Sequence, residues 1–270
     1  MSDPDKIPPF IESGIIDSHA HLMQEYFKDS LDEVIERTFA RKVVQMVNPA
    51  VIVNNAEELL ALCQKNPNIY MALGQHPHEA KDWTDSDASK LDQHMSHEKI
   101  VAVGECGLDF FYNHSERDVQ LNVFREQIKL GKKHNKPVVV HCREAWQDCL
   151  GILKEEKDSH LRGVFHCFTG GPELLPEIEA LDFYVSFSGI LTYKTAKDIQ
   201  EAAKLVPKNR MLVETDCPYL APIPMRGKQN EPSFVWWTAK KLAELRGMTL
   251  EETAKSTTEN TRRLFNLPGV

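Results

Sequence analysis

Long hydrophobic runs are missing from this 270-residue chain. No apolar stretch approaches the ~20 residues needed to cross a bilayer. The opening residues, Met1 to Pro9, carry neither the basic nor the apolar segment of a secretory signal, so a cytoplasmic protein is expected. Cysteine is sparse: six residues, with no CxxC pair and no short-loop framework, read as reduced thiols rather than a disulfide scaffold. Positive charge is in deficit. The 32 Lys and Arg against 40 Asp and Glu leave a formal net charge of −8, which weighs against a protein that merely coats nucleic acid, since such binding rests on many cationic contacts and released counterions. An enzyme whose bound metal ions supply local positive charge is compatible with that balance. No repeat, low-complexity tract or Gly/Ser/Pro-rich linker divides the chain. With 27% charged and 41% hydrophobic residues it reads as one globular domain, 15–270, behind a short N-terminal extension, 1–14.

Short apolar runs are present throughout, and several end in a residue able to bind metal. Gly14 to Ser18 precedes His19-Ala20-His21, Ile100 to Gly104 precedes Glu105, and Pro137 to Val140 precedes His141. Arg162 to Phe165 leads into His166, and Arg210 to Val213 leads towards Asp216. Further strands are expected at 43–47, 69–73 and 183–187. The 3.6-residue periodicity predicts helices at 31–41, 56–64, 116–134, 146–154, 173–181 and 232–246, and a last one opened by Thr249-Leu250-Glu251-Glu252, a capping-box pattern. At about 25 to 35 residues per strand–helix unit, the ligand-type residues fall on strands 1, 4, 5, 6 and 8 of an eight-unit chain. The expected fold is therefore α/β, a (β/α)8 TIM-type barrel with a metal site at the C-terminal face of the strands, where successive strand ends converge.

His-x-His on a strand places both imidazoles on one face. Alone it is weak evidence for a metal; joined to Glu105, His141, His166 and Asp216 in barrel register it is strong. Six ligands exceed the roughly three that a catalytic Zn²⁺ takes from protein, so two divalent ions (Mg²⁺, Mn²⁺ or Zn²⁺) sharing a carboxylate are expected. Arg143, two residues beyond His141, points into the same mouth if the strand persists and can grip phosphate in a bidentate way; otherwise it is a surface Arg at a helix start. His76 ends strand 3 before Pro77 and either contacts substrate phosphate or a metal-bound water, or is structural. Glu214 shares the face of Asp216, where it orients a ligand or makes an ion pair. His78, His94, His97, His114, His134 and His160 read as solvated. Cys106, Cys142, Cys167 and Cys217 each follow a ligand directly, and strand alternation turns them towards the surrounding helices as small apolar side chains rather than ligands. Cys217 is the least constrained, because Pro218 follows. Pro218 to Gln229 reads as a loop on the ligand-bearing face.

The segments Asp17-Ser18-His19-Ala20-His21-Leu22, Gly104-Glu105-Cys106-Gly107-Leu108-Asp109, His141-Cys142-Arg143, His166-Cys167-Phe168-Thr169-Gly170 and Glu214-Thr215-Asp216-Cys217-Pro218 resemble, in order, the signatures of the TatD family of metal-dependent deoxyribonucleases. The resemblance implies an amidohydrolase-like barrel acting on DNA, often as a 3′→5′ exonuclease, with a metal-activated water as nucleophile. It implies that His19, His21 and Asp216 hold one ion, that Glu105 bridges to a second held by His141 and His166, and that Asp216 accepts the proton of the water. The chain departs from the family at Gln229, where a basic residue usually stands, which removes one positive charge from the substrate rim. A second reading is a barrel enzyme with the same metals that cleaves an amide, lactone or other ester, because fold and metals do not choose the bond. Such enzymes often bridge their ions with a carboxylated lysine on strand 4, and here that strand leads to Glu105. A third, a non-catalytic scaffold, has no use for an intact ligand set.

Overall fold

Parallel strands alternate with helices along the whole chain in the computed structural model, which describes residues 8–269. In order these are β1 (Ile15–Asp17), α1 (Leu31–Ala40), β2 (Val43–Pro49), α2 (Ala56–Lys65), β3 (Ile69–Leu73), α3 (Asp85–His94), β4 (Ile100–Asp109) and α4 (Arg117–Lys133). Then follow β5 (Val138–Arg143), α5 (Trp146–Glu155), β6 (Gly163–Phe165), α6 (Leu175–Ala180), β7 (Tyr184–Phe187), α7 (Lys197–Leu205), β8 (Met211–Val213), α8 (Val235–Arg246) and α9 (Leu250–Phe265). Of the segment assigned as an N-terminal extension, residues 1–7 lie outside the described residues. Ile11 to Gly14 makes a turn into β1, with Gly14 N donating to Ile11 O at 3.1 Å.

The strands pair in sequence order, β1 through β8, all parallel, as the spacing predicts. The seam between β8 and β1 is closed just beyond the strand ladders. Ser18 N donates to Val213 O at 3.2 Å and Asp216 N to His19 O at 2.9 Å, while the buried Asp17 carboxylate accepts Thr215 N at 2.9 Å. Alternation along the strands sorts the core into two shells. Ile16, Val47, Ala72, Ala102, Val139, Val164 and Leu212 fill the barrel, where Leu264 and Phe265 from the end of α9 and Leu267 just beyond it pack with them. Ile15, Met46, Met71, Val103, Val140, Phe165 and Met211 face the helices. The filled interior leaves the opposite, C-terminal end of the strands for polar side chains.

The periodicity does not predict α3 or α7. Only Leu91 and Asp87 of α3 are buried, so no apolar stripe marks it, and the helix is held instead by a Thr84–Asp87 capping box. In α7 the buried face is Ile199, Ala202 and Ala203, too small a stripe to stand out. The box expected at Thr249 is made: Thr249 Oγ1 accepts Glu252 N at 3.1 Å, and Glu252 Oε2 accepts Thr249 N at 2.8 Å. Thr249→Ala should lower the unfolding free energy by about 1 kcal/mol in urea titrations at neutral pH. The Thr249 backbone and hydroxyl bonds hold the Glu252 carboxyl below its ordinary value. Its share of the cap is therefore present above the unfolded pKa and lost as pH falls through the lowered folded one, so the deficit should narrow in acid.

Candidate metal centre

The chain beyond β1 stays extended because bonds to its neighbours continue past the ladder. Ala20 N donates to Val47 O and His21 N to Cys217 O, each at 3.0 Å. His19 and His21 are thereby aimed into the barrel mouth with their Nε2 atoms 3.3 Å apart. On the far side of the seam Asp216 takes a left-handed conformation, φ 55°, which ends the strand alternation. Its Oδ1 lies 3.4 Å from His21 Nε2 and 3.7 Å from His19 Nε2. Ligand atoms of His19, His21 and Asp216 all lie within 4.8 Å of one another.

Glu105 is not at a strand end, as the sequence suggests, but in the middle of β4. The β4–β5 register shifts between Val103 and Cys106, a bulge of the kind that re-aims a side chain beside an active site. Two glycines bracket the irregularity. A Cβ on Gly104 would stand 2.6 Å from Val139 O, and one on Gly107 would stand 2.0 Å from His141 O, so only glycine lets β4 press this closely on β5. The carboxylate, 3% exposed, sits among five imidazoles. Oε2 faces His19 and His21 at 3.2 and 3.6 Å. Oε1 faces His166 at 2.7 Å, His141 at 3.1 Å and His76 at 3.3 Å. Burial alone would raise its pKa, but the imidazoles of His166, His76 and His19 and the bond to His141 outweigh that and hold it well below the usual carboxylate range.

His141 Nε2 lies 3.0 Å from Asp109 Oδ2. With the proton there, the Nδ1 lone pair faces Glu105 Oε1 at 3.1 Å and His166 Nε2 at 3.4 Å. Lone pairs turned on one another call for a cation between them. A tetrahedron of Zn–N bonds about 2.0–2.1 Å long has edges of roughly 3.3 Å, close to these separations. Metal and proton compete for such atoms, and the surroundings favour positive charge. Burial works against charging His166 and His141, yet Glu105 and Glu214 around the first, and Asp109 and Glu105 around the second, raise both. Among the described residues no Lys or Arg pairs with Glu105, Asp109, Glu214 or Asp216. The donor set therefore fits divalent ions.

Glu214 is fully buried, not in the cavity with Asp216; its Oε1 accepts Cys167 N at 2.6 Å and lies 3.4 Å from His166 Nδ1. His76 Nδ1 accepts His78 N at 3.1 Å. A neutral His76 thus carries its proton on Nε2, facing Glu105, and burial pushes its pKa down to about 4. Arg143 lies at the rim, its guanidinium 4.1 Å from the Phe111 ring centroid and 4.7 Å from that of Tyr112. Gln229 ties its loop down, its amide donating to Tyr26 O and accepting Lys28 N. A cavity of about 840 Å³ opens above the cluster, lined by His21, Glu105, His141, Arg143, His166 and Asp216 among others.

Cys167 does not face the helices: β6 ends at Phe165, Cys167 takes φ 42°, and it lines the cavity with Sγ 3.2 Å from Ser188 Oγ. Cys106, Cys142 and Cys217 do lie in the outer shell, and among the described residues no cysteine joins a metal-type cluster. His78 and His114 line the cavity rather than standing in solvent. Asp109 is a residue of the site that the sequence reading does not single out, although it lies an even number of positions from Glu105 on one strand. It is 1% exposed; Oδ2 contacts both His141 and His78, at 3.0 and 2.9 Å. Oδ1 accepts Phe111 N and Tyr112 N, at 3.1 and 2.9 Å. Those bonds outweigh burial and hold its pKa below the usual range.

The profile of the family described as TatD related DNase matches residues 16–266. An uncharacterized metal-dependent hydrolase of Bacillus subtilis, YabD, is 44% identical over 253 residues, 94% of this chain and 99% of that protein. The 3′-5′ ssDNA/RNA exonuclease TatD of Erwinia tasmaniensis is 33% identical over 259 residues, 94% of this chain and 100% of the relative. The crystal structure of YJJV, a TatD homologue from Escherichia coli K12, superposes with a TM-score of 0.86 at 28% identity, covering 94% of this chain and 98% of that one.

Proposed function

The chain belongs to the TatD family of metal-dependent hydrolases, and from that premise we propose that it is a two-metal nuclease removing nucleotides from the 3′ ends of DNA. The observation that carries the reading is the division of Glu105, one oxygen turned to His19 and His21 and the other to His141 and His166. His19, His21, Asp216 and Glu105 Oε2 would hold one ion, and His141, His166 and Glu105 Oε1 the second. The ions supply, when bound, a Lewis acid for the phosphoryl oxygens and a water of lowered pKa.

The remaining steps belong to the side chains. Asp216, 13% exposed at the edge of the cavity, accepts the proton of the attacking water. As the water oxygen bonds to phosphorus, the phosphorus–oxygen bond to the 3′-oxygen breaks, and that oxygen takes up a proton from solvent, which leaves a free 3′-hydroxyl on the strand and a 5′-phosphate on the released nucleotide. Arg143 neutralises the non-bridging oxygens with its N–H edge, which makes no ion pair among the described residues. His76 holds its Nε2 proton towards Glu105 and keeps that carboxylate turned to both sides. The name of the Erwinia relative, an exonuclease on single-stranded DNA and RNA, supports the choice of bond.

The test is turnover of a 3′-labelled single-stranded oligonucleotide beside a panel of esters, lactones and amides, with Mg²⁺, Mn²⁺ and Zn²⁺ each returned to metal-stripped protein. Release of labelled mononucleotide supports the proposal; turnover confined to a lactone or amide replaces it with the amidohydrolase-type reading. Arg143→Ala should raise KM for phosphodiesters about 10- to 100-fold, as charge-assisted bonds of this kind are worth roughly 1.5–3 kcal/mol, and leave a neutral ester nearly unaffected. Equal losses on both substrates would reduce Arg143 to support of the loop.

A further inference from the structure

Exposed aromatic surface gathers at the barrel mouth. Phe111 and Tyr112 are each 50% exposed and Tyr219 is 56% exposed. Tyr219 stands 6.3 Å from the His21 ring, and Tyr112 stands 5.4 Å from the His78 ring. Single exposed aromatics need no explanation, but this pair is held in place. The backbone N–H groups of Phe111 and Tyr112 both bond the buried Asp109 carboxylate, which also contacts His141. The platform is thereby fixed relative to the metal centre rather than carried on a free loop. The two rings meet edge to face, 4.9 Å apart at 88°, and Arg143 lies over both. The guanidinium makes no ion pair among the described residues, so its N–H groups remain for an anion.

Resting on the nuclease reading above, we propose that Phe111, Tyr112 and Arg143 form a subsite for one unpaired nucleotide next to the scissile bond, its base stacked on an aromatic ring and its phosphate on the guanidinium edge. Charge complementarity selects this occupant: Tyr112 and Arg143 line the same cavity as Glu105 and Asp216, with Phe111 beside them, and an apolar surface next to a cation that has no ion-pair partner among the described residues matches a base joined to a phosphate. A paired base already has its faces stacked, so a duplex end must fray before it can use the platform.

The experiment compares two single strands of one length, one natural and one with its two 3′-terminal bases removed to leave abasic sugars. Kinetics are measured with wild type, the Phe111→Leu/Tyr112→Leu double variant and Tyr112→Phe. Stacking on aromatics predicts a wild-type KM about 5- to 150-fold lower for the natural strand. The double Leu variant, which keeps apolar bulk without a π face, should bring the ratio of the two KM values close to one, whereas Tyr112→Phe should preserve it. A ratio unchanged in the double variant, or a wild-type KM indifferent to the missing bases, overturns the subsite while leaving the nuclease reading intact. Failure of the wild type to cleave either strand overturns both.

Discussion

Glu105→Ala should leave the protein with less than one equivalent of tightly bound divalent metal and lower kcat/KM on a single-stranded oligonucleotide by about three orders of magnitude or more. The loss of metal follows from position. Among the described residues the carboxylate is the one group within 3.6 Å of His19, His21, His141 and His166 alike, so on the two-ion proposal its removal takes an oxygen from each half of the site and the negative charge that would draw both ions. The loss of rate follows from the metal, since several kcal/mol of charge stabilisation in the transition state vanish with it. Elemental analysis and circular dichroism of the purified variant check the two halves of the claim. A folded Glu105→Ala protein with full two-metal occupancy would refute the bridge.

Asp216→Asn should behave differently, with the fold kept and kcat reduced by about 10²- to 10⁴-fold, the range for loss of a general base. Asparagine has nearly the same shape, and the backbone bond that places the residue, Asp216 N to His19 O at 2.9 Å, does not involve the side chain. What is lost is the capacity to accept a proton and a negative charge beside His19 and His21. Single-turnover kinetics on the labelled strand would measure the effect. Activity near wild type on every substrate would remove Asp216 from the proposed mechanism.

Strand order, barrel closure and the convergence of His19, His21, Glu105, His141, His166 and Asp216 were legible in the sequence because they follow from period-2 alternation and the length of a strand–helix unit. That logic fails where the backbone stops being a strand. Asp216 and Cys167 both take positive φ, so Glu214 and Asp216 part company and Cys167 turns into the mouth. The bulge in β4 moves Glu105 to mid-strand, and the strand then continues to Asp109. Extending the alternation from Glu105 by four residues would have found Asp109, the carboxylate that joins His141 to the aromatic rim. His78 was out of reach, because it belongs to a short helical turn after β3 and finds Asp109 only through the fold. Helix α3 lacks the apolar stripe on which periodicity depends and is marked instead by its Thr84 cap.

The central claim, two ions joined by Glu105 and used on a phosphodiester, is tested most directly by titrating metal-stripped protein with Mn²⁺ or Zn²⁺ while following bound metal and oligonucleotide cleavage together. The account predicts that binding saturates at two ions per chain and that most of the cleavage rate appears only as the second ion binds. Saturation at one ion with the full rate already present would contradict it.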